Sequence, residues 1–405
     1  MNLEQLLAKK IRITKGQAFS STVLKVGVIS VALGVAVVLI SFAVLLGFKE
    51  TIKEKLFTVS SHLQISKITL NQSYEEAPFV FNSEIQGILK NNTNIARFDP
   101  IIQKSAILKS EKEINGVLLK GVADSFDWKA FNVNMVAGRA IELDSSYSKE
   151  IVLSQTQLKL LNVKLGDEIL IYFIQNPPRA RKLKIVGVYN TGIPELDESF
   201  ALVDIQLLRR INNWEENEIG HVEVFLNDFK KLDQSASKLY ESLPQDLLIK
   251  PITRFLPQFF DWFNLLDRNI IIVIILIVAV AGFNMISVLL IMIMERTPMV
   301  GLLKSLGTSN ASIQKIFTIN AFNIIFKGLL IGNLIAMGVC LIQYYFKIIP
   351  LEEESYYMSA MPIQWDWMIF LFVNVGITLF VGLIAYLPTI SIRKISPVKV
   401  LKYKD

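Results

Sequence analysis

The run Glu295-Arg296-Thr297-Pro298-Met299-Val300-Gly301-Leu302-Leu303-Lys304-Ser305-Leu306-Gly307 is the part of the chain whose residue types and spacing point most directly to a task. Thr297 fits a helix cap, Pro298 fits the first turn and Gly307 fits the stop. Val300, Leu303 and Leu306 recur every third residue, with Met299 and Leu302 beside them, so the short helix carries an apolar face. Such a helix suits a groove on a protein partner. It suits the surface of a membrane equally well. In both cases the chemistry is binding rather than bond-making.

Patterns for catalysis are missing. No glycine-rich run ends in Gly-Lys-Ser/Thr, so the motif that cradles nucleotide phosphates is absent. His62 and His221 are the only histidines and lack metal-ligand spacing. Neither a Gly-x-Ser-x-Gly elbow nor a metalloprotease signature occurs. The acidic run Glu352-Glu353-Glu354 has the groups to ligate a cation but reads first as a solvated loop. The one cysteine, Cys340, rules out a disulfide within the chain, so any soluble domain is held by packing.

The elements that must position the short helix are membrane spans. Hydrophobic residues make up 52% of the chain and mean hydropathy is +0.43. The apolar residues concentrate at 26–48, 270–294, 317–346 and 367–387. Each stretch is long enough to cross a hydrocarbon core of ~30 Å at ~1.5 Å per residue. The first span begins too late and runs too long for a cleaved signal peptide. The net charge of +6 gathers at span ends, which is a topology signal and not a nucleic-acid signal.

Charge asymmetry orients the spans. Lys9, Lys10, Arg12, Lys15 and Lys25 precede the first, against Glu4. Arg296, Lys304 and Lys315 lie between the second and third, against Glu295. Arg393, Lys394, Lys399, Lys402 and Lys404 follow the fourth, against Asp405. The 347–366 loop is acidic, with Glu352, Glu353, Glu354 and Asp366 against Lys347. The positive-inside rule therefore puts 1–25, 295–316 and 388–405 in the cytoplasm, and 49–269 and 347–366 outside. Within 1–25, Leu3, Leu6, Leu7 and Ile11 share a helical face, as an interfacial helix or a frayed terminus.

The outer region, 49–269, mixes both periods. After a helical continuation at 49–57, strand patterns occur at 62–68, 101–108, 117–122, 150–153, 169–174 and 184–189. Helical patterns occur at 83–90, 155–161, 204–211 and 228–243. This is an α+β domain, with a β-rich lobe inserted at about 136–213. An aromatic run at 255–264, with Phe259, Phe260, Trp262 and Phe263, is an amphipathic stalk or an interface belt. Lys327 interrupts the third span and is expected to snorkel at the cytoplasmic interface, two turns into a helix starting near Thr318. Gly328 and Gly332 form a small-x₃-small pair.

With these residues in view, Glu295-Arg296 followed by Val300-Gly301-Leu302-Leu303-Lys304-x-Leu306-Gly307 resembles the coupling segment of ABC-transporter permeases of the macrolide-exporter and cell-division type. The likeness is greatest to lipoprotein-releasing permeases (LolC/LolE type), in a form like those of Bacteroidetes, and it extends along nearly the whole chain. Glu150-Ile151-Val152-Leu153-Ser154 with Gly166-Asp167-Glu168 is similar to that family's outer-domain strand, helix and turn. Val186-Gly187-Val188-Tyr189-Asn190-Thr191-Gly192 resembles the strand that follows, and Ile395-Ser396-Pro397-Val398-Lys399-Val400-Leu401 the family's ending.

The resemblance implies a multi-pass protein of the bacterial inner membrane: four transmembrane helices, one plus three, and a large periplasmic α+β domain of two lobes. It implies a non-catalytic permease working with a second copy or paralogue and a cytoplasmic ATPase dimer, where ATP and magnesium are bound. The substrate implied is a lipoprotein, handed to a periplasmic carrier. Met299, Val300, Leu302 and Leu303 would anchor the ATPase contact, with Gly301 allowing close approach and Glu295, Arg296 and Lys304 orienting it. Pro298, Leu306 and Gly307 complete that segment. Val44, Phe48, Ile274 and Val278 would line an acyl-chain cavity between paired subunits, or simply face lipid. The family's carrier hook corresponds to Pro177, Pro178, Arg179 and Arg181, in a connection shorter than the hook that fits an ordinary hairpin turn as well. Exporter-like efflux and cell-division-type mechanotransmission are the competing readings. A membrane receptor fits less well, because neither terminus carries a signalling domain.

The orientation is testable. In intact spheroplasts a membrane-impermeant thiol reagent is expected to label a cysteine introduced at Ser145 and to spare one introduced at Asn310. The opposite pattern would invert the topology.

Overall fold

A computed structural model describes residues 18–69, 75–143 and 147–395. The expected amino-terminal interfacial helix, with Leu3, Leu6, Leu7 and Ile11, and the family-like ending at 396–401 lie outside the described residues. The chain divides into two compact units. One is helical and comprises 1–50, 263–350 and 360–405. The other comprises 51–262 and 351–359.

Five helices matter for the helical unit: α1 (Ala18–Val59), α2 (Pro257–Glu295), α3 (Thr297–Ser305), α4 (Asn310–Phe346) and α5 (Trp367–Thr389). Of these, α1, α2, α4 and α5 are long and apolar enough to cross a membrane, and they coincide with the four apolar stretches. Three start earlier than the apolar signal does, α1 among them at Ala18. α2 takes in the aromatic run from Pro257, and α4 begins at Asn310, capped by the Ser309 hydroxyl. Polar residues such as Gln314 and Lys315 keep helical geometry without contributing hydropathy, which is why the sequence hides this first part of α4. Lys327 is accordingly midway along α4, not two turns in.

Val31, Val35, Leu39, Met285, Leu289, Phe317, Ile324 and Val381 form the core of this unit. Close approach of α4 to α1 depends on the glycine pair. A Cβ on Gly328 would lie 2.7 Å from Val31 Cβ, and one on Gly332 would lie 2.6 Å from the Ala32 carbonyl oxygen. The same register sets Gly328 beside Val28, so the exposed Lys327 lies level with the start of the apolar stretch of α1. Polar side chains tie the remaining pairs. Asn333 and Asn374 exchange amide hydrogen bonds of 2.8 and 3.2 Å between α4 and α5. Asn284 of α2 donates to Ser30 Oγ of α1 at 2.6 Å, and Lys49 meets Asp267 at 2.7 Å.

In the α+β unit the strands of the first lobe are β1 (Leu63–Lys67), β2 (Phe79–Val80) and the first half of β3 (Ile95–Lys109). The second half of β3 enters a second lobe with β4 (Ile114–Val122), β5 (Met135–Gly138), β6 (Glu150–Ser154), β7 (Glu168–Phe173), β8 (Arg179–Tyr189) and β9 (Phe200–Asp204). The chain then returns to the first lobe through β10 (Glu218–Ile219), β11 (His221–Leu226) and β12 (Leu247–Pro251). Ten of these strands make one sheet in the order β12-β1-β11-β3-β4-β9-β6-β8-β5, with β7 against β3 and β8. β2 and β10 pair separately.

β3 is the shared strand. Residues 95–101 pair with β11, and residues 102–109 pair with β4. Pro100 falls in the half bonded on one side only, where its missing N–H costs little. The first lobe packs Leu63, Ile65, Leu89, Val222, Val224, Leu239 and Ile252. The second packs Ile102, Leu108, Leu119, Ile151, Ile171, Ile185, Val203 and Leu208. The inserted lobe therefore starts at about Ile102, not 136, because β3 and β4 supply its core.

The 347–366 connection is not a wholly solvated loop. Its 351–359 part folds with the α+β unit. The Tyr357 carbonyl accepts from Lys55 Nζ at 2.6 Å, its hydroxyl pairs with Glu195 at 3.2 Å, and its ring packs on Phe259 and Trp262. Burial lowers the pKa of Lys55, with Glu353 and Asp197 acting in the opposite direction.

Overpacking a close contact costs roughly 1–3 kcal/mol. Gly332→Val is expected to lower the thermal midpoint of the full-length protein in detergent. Gly338→Val, at a site with open space around the missing Cβ, is expected to leave it unchanged. Equal midpoints for the two variants would show that the α1–α4 approach does not need the glycine.

Candidate functional site

α3 follows α2 after a single residue, Arg296. The expected Thr297 cap is not formed. Thr297 is the first helical residue, and its hydroxyl donates back to the Ile293 carbonyl at 3.1 Å. The stop is as expected. Gly307 has φ +85°, its N–H reaches the Lys304 carbonyl at 3.0 Å, and Thr308 N–H reaches the Leu303 carbonyl at 3.0 Å. This paired closure satisfies carbonyls that a helix end leaves open.

The faces of α3 differ from the sequence reading. Val300 and Gly301 are buried within the chain's own helical core, with Met299 and Leu303 half-buried against it. Leu302 is 52% exposed and Leu306 is 74% exposed. With exposed Pro298 they follow a spacing of four and form one outward face. Val300 is therefore a seat and not a free anchor, and Leu306 does not share its side of the helix. Lys304 is engaged internally, since its ammonium donates to the carbonyls of Ile392 (2.7 Å) and Ile395 (2.8 Å) beyond α5. Cations favour such carbonyl clusters at helix ends. Glu295 and Arg296 are half-buried at the α2–α3 junction.

Val44, Phe48, Ile274 and Val278 are half-buried, and Val278 packs against the helical core. A cavity of about 310 Å³ lies elsewhere, between the end of α4 and the start of α5. The β7–β8 connection is a short hairpin. Gln175 donates to the Ile211 carbonyl at 3.2 Å. Arg179 donates to the carbonyls of Arg210 (2.7 Å) and Ile211 (2.8 Å) and to Asn213 Oδ1 (2.9 Å). These groups close the helix Ile205–Asn212, so Arg179 serves the lobe's own structure. Pro177 and Pro178 are exposed, and Arg181 donates to the neighbouring Ala180 carbonyl.

A buried charge network escaped the sequence reading. Lys120 of β4 bonds both carboxylate oxygens of Glu223 at 2.7 and 2.8 Å, and the Val59 carbonyl at the end of α1 at 3.0 Å. Two residues from Glu223, His221 Nδ1 contacts Glu76 at 2.5 Å. Glu76 also accepts from Gln103 N–H at 2.6 Å and fills the space beside Gly220 where a side chain would sit. Nearby, Arg97 reaches Asp99 at 3.2 Å and lies 3.8 Å from the Phe225 ring centroid. Two histidines far apart in sequence look inert. The signal lay in His221-x-Glu223, which sends both side chains to one face of a strand.

Burial opposes a charged His221, but Glu76 and Glu223 outweigh it and hold its pKa up at about 9. Burial raises Asp99 to about 6 against the pull of Arg97. Burial, helped by Arg97, lowers His62 to about 4, and its Nδ1 accepts from Leu226 N–H at 2.8 Å. Among the described residues no group of three or more His, Cys, Asp or Glu is arranged to hold a metal. The network neutralises charge inside the sheet.

Comparison with known proteins agrees with this architecture. Residues 27–239 match the MacB-like periplasmic core domain family, and residues 271–397 match the FtsX-like permease C-terminal family. The chain is 25% identical over 374 residues to the lipoprotein-releasing system transmembrane protein LolC of Neisseria meningitidis serogroup B, covering 88% of each chain. It is 25% identical over 403 residues to LolE of Haemophilus influenzae, covering 93% of each. Among solved structures, the periplasmic region of MacB from Actinobacillus actinomycetemcomitans aligns at 16% identity with a TM-score of 0.34, over 51% of this chain and 95% of that one.

The histidines set opposite pH limits. A raised folded pKa stabilises below the ordinary value of 6.5 and loses that contribution as pH rises through about 9. A lowered one stabilises above 6.5 and loses its contribution as pH falls through about 4. The thermal midpoint of the α+β transition in the full-length protein is expected to fall between pH 6.5 and pH 9, and His221→Asn is expected to flatten that limb. An unchanged slope in the variant would remove His221 from the account.

Proposed function

The chain belongs to the MacB-like periplasmic core domain family, and from that premise we infer that it is a non-catalytic permease subunit of an ATP-driven ABC transporter that releases lipoproteins from the bacterial inner membrane. The observation that carries this reading is its similarity to LolC and LolE along 88% and 93% of both chains. ATP and magnesium belong to a separate cytoplasmic ATPase pair, and a second permease, identical or paralogous, completes the membrane part. Both termini and α3 are cytoplasmic in this reading, and the α+β unit is periplasmic, as the basic residues at the span ends require.

The energetics fit. A lipid anchor contributes ~0.8 kcal/mol per buried CH₂, so withdrawing several acyl chains needs an external source of work. ATPase closure supplies it through α3, whose outward Pro298, Leu302 and Leu306 enter a cleft on the ATPase while Val300 and Lys304 bind the helix to its own bundle. Acyl chains of the substrate run along Val44, Phe48, Ile274 and Val278 where two permeases meet. The released lipoprotein passes to a periplasmic carrier. The internal bonds of Arg179 make the β7–β8 turn a poor hook for that carrier.

Burying a leucine is worth ~1.5–3 kcal/mol, so placing a charge on either outward leucine should weaken the ATPase contact roughly tenfold or more. Leu302→Asp and Leu306→Asp are expected to leave the protein inserted and folded while ATPase copurification and lipoprotein-stimulated hydrolysis fall. Val300→Asp is expected to reduce folded protein instead, because it charges a buried site. Wild-type ATPase binding by both leucine variants would overturn the coupling role of α3. Mass spectrometry of the complex purified from membranes should find the ATPase and a triacylated lipoprotein. An adaptor of an efflux channel in place of the lipoprotein would overturn the substrate.

A further inference from the structure

The cavity of about 310 Å³ between the end of α4 and the approach to α5 belongs to no part of the coupling or release path described above. Met337, Cys340 and Leu341 form its apolar side, and Tyr344, Trp365 and Trp367 its aromatic side. It is preformed. Gln343 accepts from Ile349 N–H at 3.0 Å and donates to the Met361 carbonyl at 3.0 Å, fixing the connection across the last turn of α4. Trp365 packs on Trp367 and Phe370 with ring centroids 5.8 and 5.7 Å apart.

Three observations identify the occupant. The lining carries no charged residue and sits on two helices apolar enough to cross a membrane, so its neighbours are hydrocarbon. The tyrosines and tryptophans stand where α4 ends and α5 begins, the level at which such rings mark the boundary with lipid headgroups. Lys347, two residues beyond Tyr345, is exposed, whereas Asp366 is occupied in capping α5 through the N–H groups of Met368 (2.8 Å) and Ile369 (3.2 Å). The positive end of the α5 dipole offsets part of the Asp366 charge, and Lys347 is an exposed cation at this level.

We propose that this cavity holds one acyl chain of a resident anionic glycerophospholipid, with its headgroup drawn to Lys347. The proposal requires only that α4 and α5 span a membrane and is independent of the lipoprotein assignment. The test is native mass spectrometry of the full-length protein, delipidated in detergent and then exposed to equal phosphatidylglycerol and phosphatidylethanolamine. The wild type is expected to retain one phosphatidylglycerol. Leu341→Trp, which narrows the cavity, should retain roughly tenfold less, the change that ~1.4 kcal/mol represents. Lys347→Glu should abolish the headgroup preference with an unchanged thermal midpoint. Because Leu341→Trp risks misfolding, phosphatidylglycerol with brominated acyl chains provides a second readout. It should quench wild-type tryptophan fluorescence saturably at one lipid per chain, and Trp365→Phe with Trp367→Phe should lose that phase. Equal retention by wild type and a folded Leu341→Trp, no saturable quenching, or displacement by a triacylated lipopeptide as readily as by phosphatidylglycerol would each overturn the proposal.

Discussion

Val300, enclosed by the membrane helices, is the contact on which the reading of this molecule depends. A helix between two spans can rest loosely on a membrane surface or be part of the bundle, and only the second arrangement conducts force. Burial of Val300 and Gly301 selects the second. Lys304 strengthens it by bonding two carbonyls past α5, so α3 is joined to the fourth span as well as to the second. A push on Leu302 and Leu306 then meets a packed, low-compressibility interior and not a hinge. Under the proposed function, the residues that make contact and the residues that carry the load occupy opposite faces of one short helix.

The α+β unit solves a different problem, two lobes without a disulfide. β3 gives each lobe one half of a continuous strand, so the lobes cannot separate without breaking backbone ladders. The Lys120–Glu223 pair sits beside this strand and also caps the end of α1 through the Val59 carbonyl. A buried ion pair contributes little net stability after desolvation, but removing one partner strands the other charge. Its effect is therefore to fix register: a slip of one residue on β11 would turn His221 and Glu223 away from Glu76 and Lys120.

Much of this was legible in the residues. Hydropathy and basic flanks marked the four spans because hydrocarbon tolerates few alternatives to an uncharged helix. Gly328 and Gly332 announced their close approach, and Gly307 its stop. The faces of α3 were not legible. A run of nine mostly apolar residues does not say which side its own chain covers, and Val300 and Leu302 look alike until α4 is placed. β11 was missed because it is buried on both faces and its polar residues, His221 and Glu223, mimic a solvated edge. The start of the second lobe was missed because Pro100 reads as a strand break until the one-sided pairing of β3 is known. The folded part of the 347–366 connection depends on Tyr357, whose partners Lys55, Glu195 and Phe259 are remote in sequence.

The surfaces left over by the helical core bear on pairing. In α1, Val26, Ile29, Leu33 and Val37 are exposed at spacings of three and four, a single stripe that runs on toward half-buried Val44 and Phe48. In α2, the least buried of the four spans, Ile272, Leu276, Val280 and Phe283 make a comparable stripe. Lipid alone could cover both, since hydrocarbon is as apolar as leucine and gives helices no hydrophobic reason to associate. What a second permease would add is shape. Two such stripes, each continuous and free of charge, enclose an apolar cleft when copies face one another, and a cleft of that kind is where an acyl chain can leave the bilayer without meeting water. Under the proposed function the stripes are kept smooth and uncharged because their partner is, in turn, a neighbouring helix and a passing lipid.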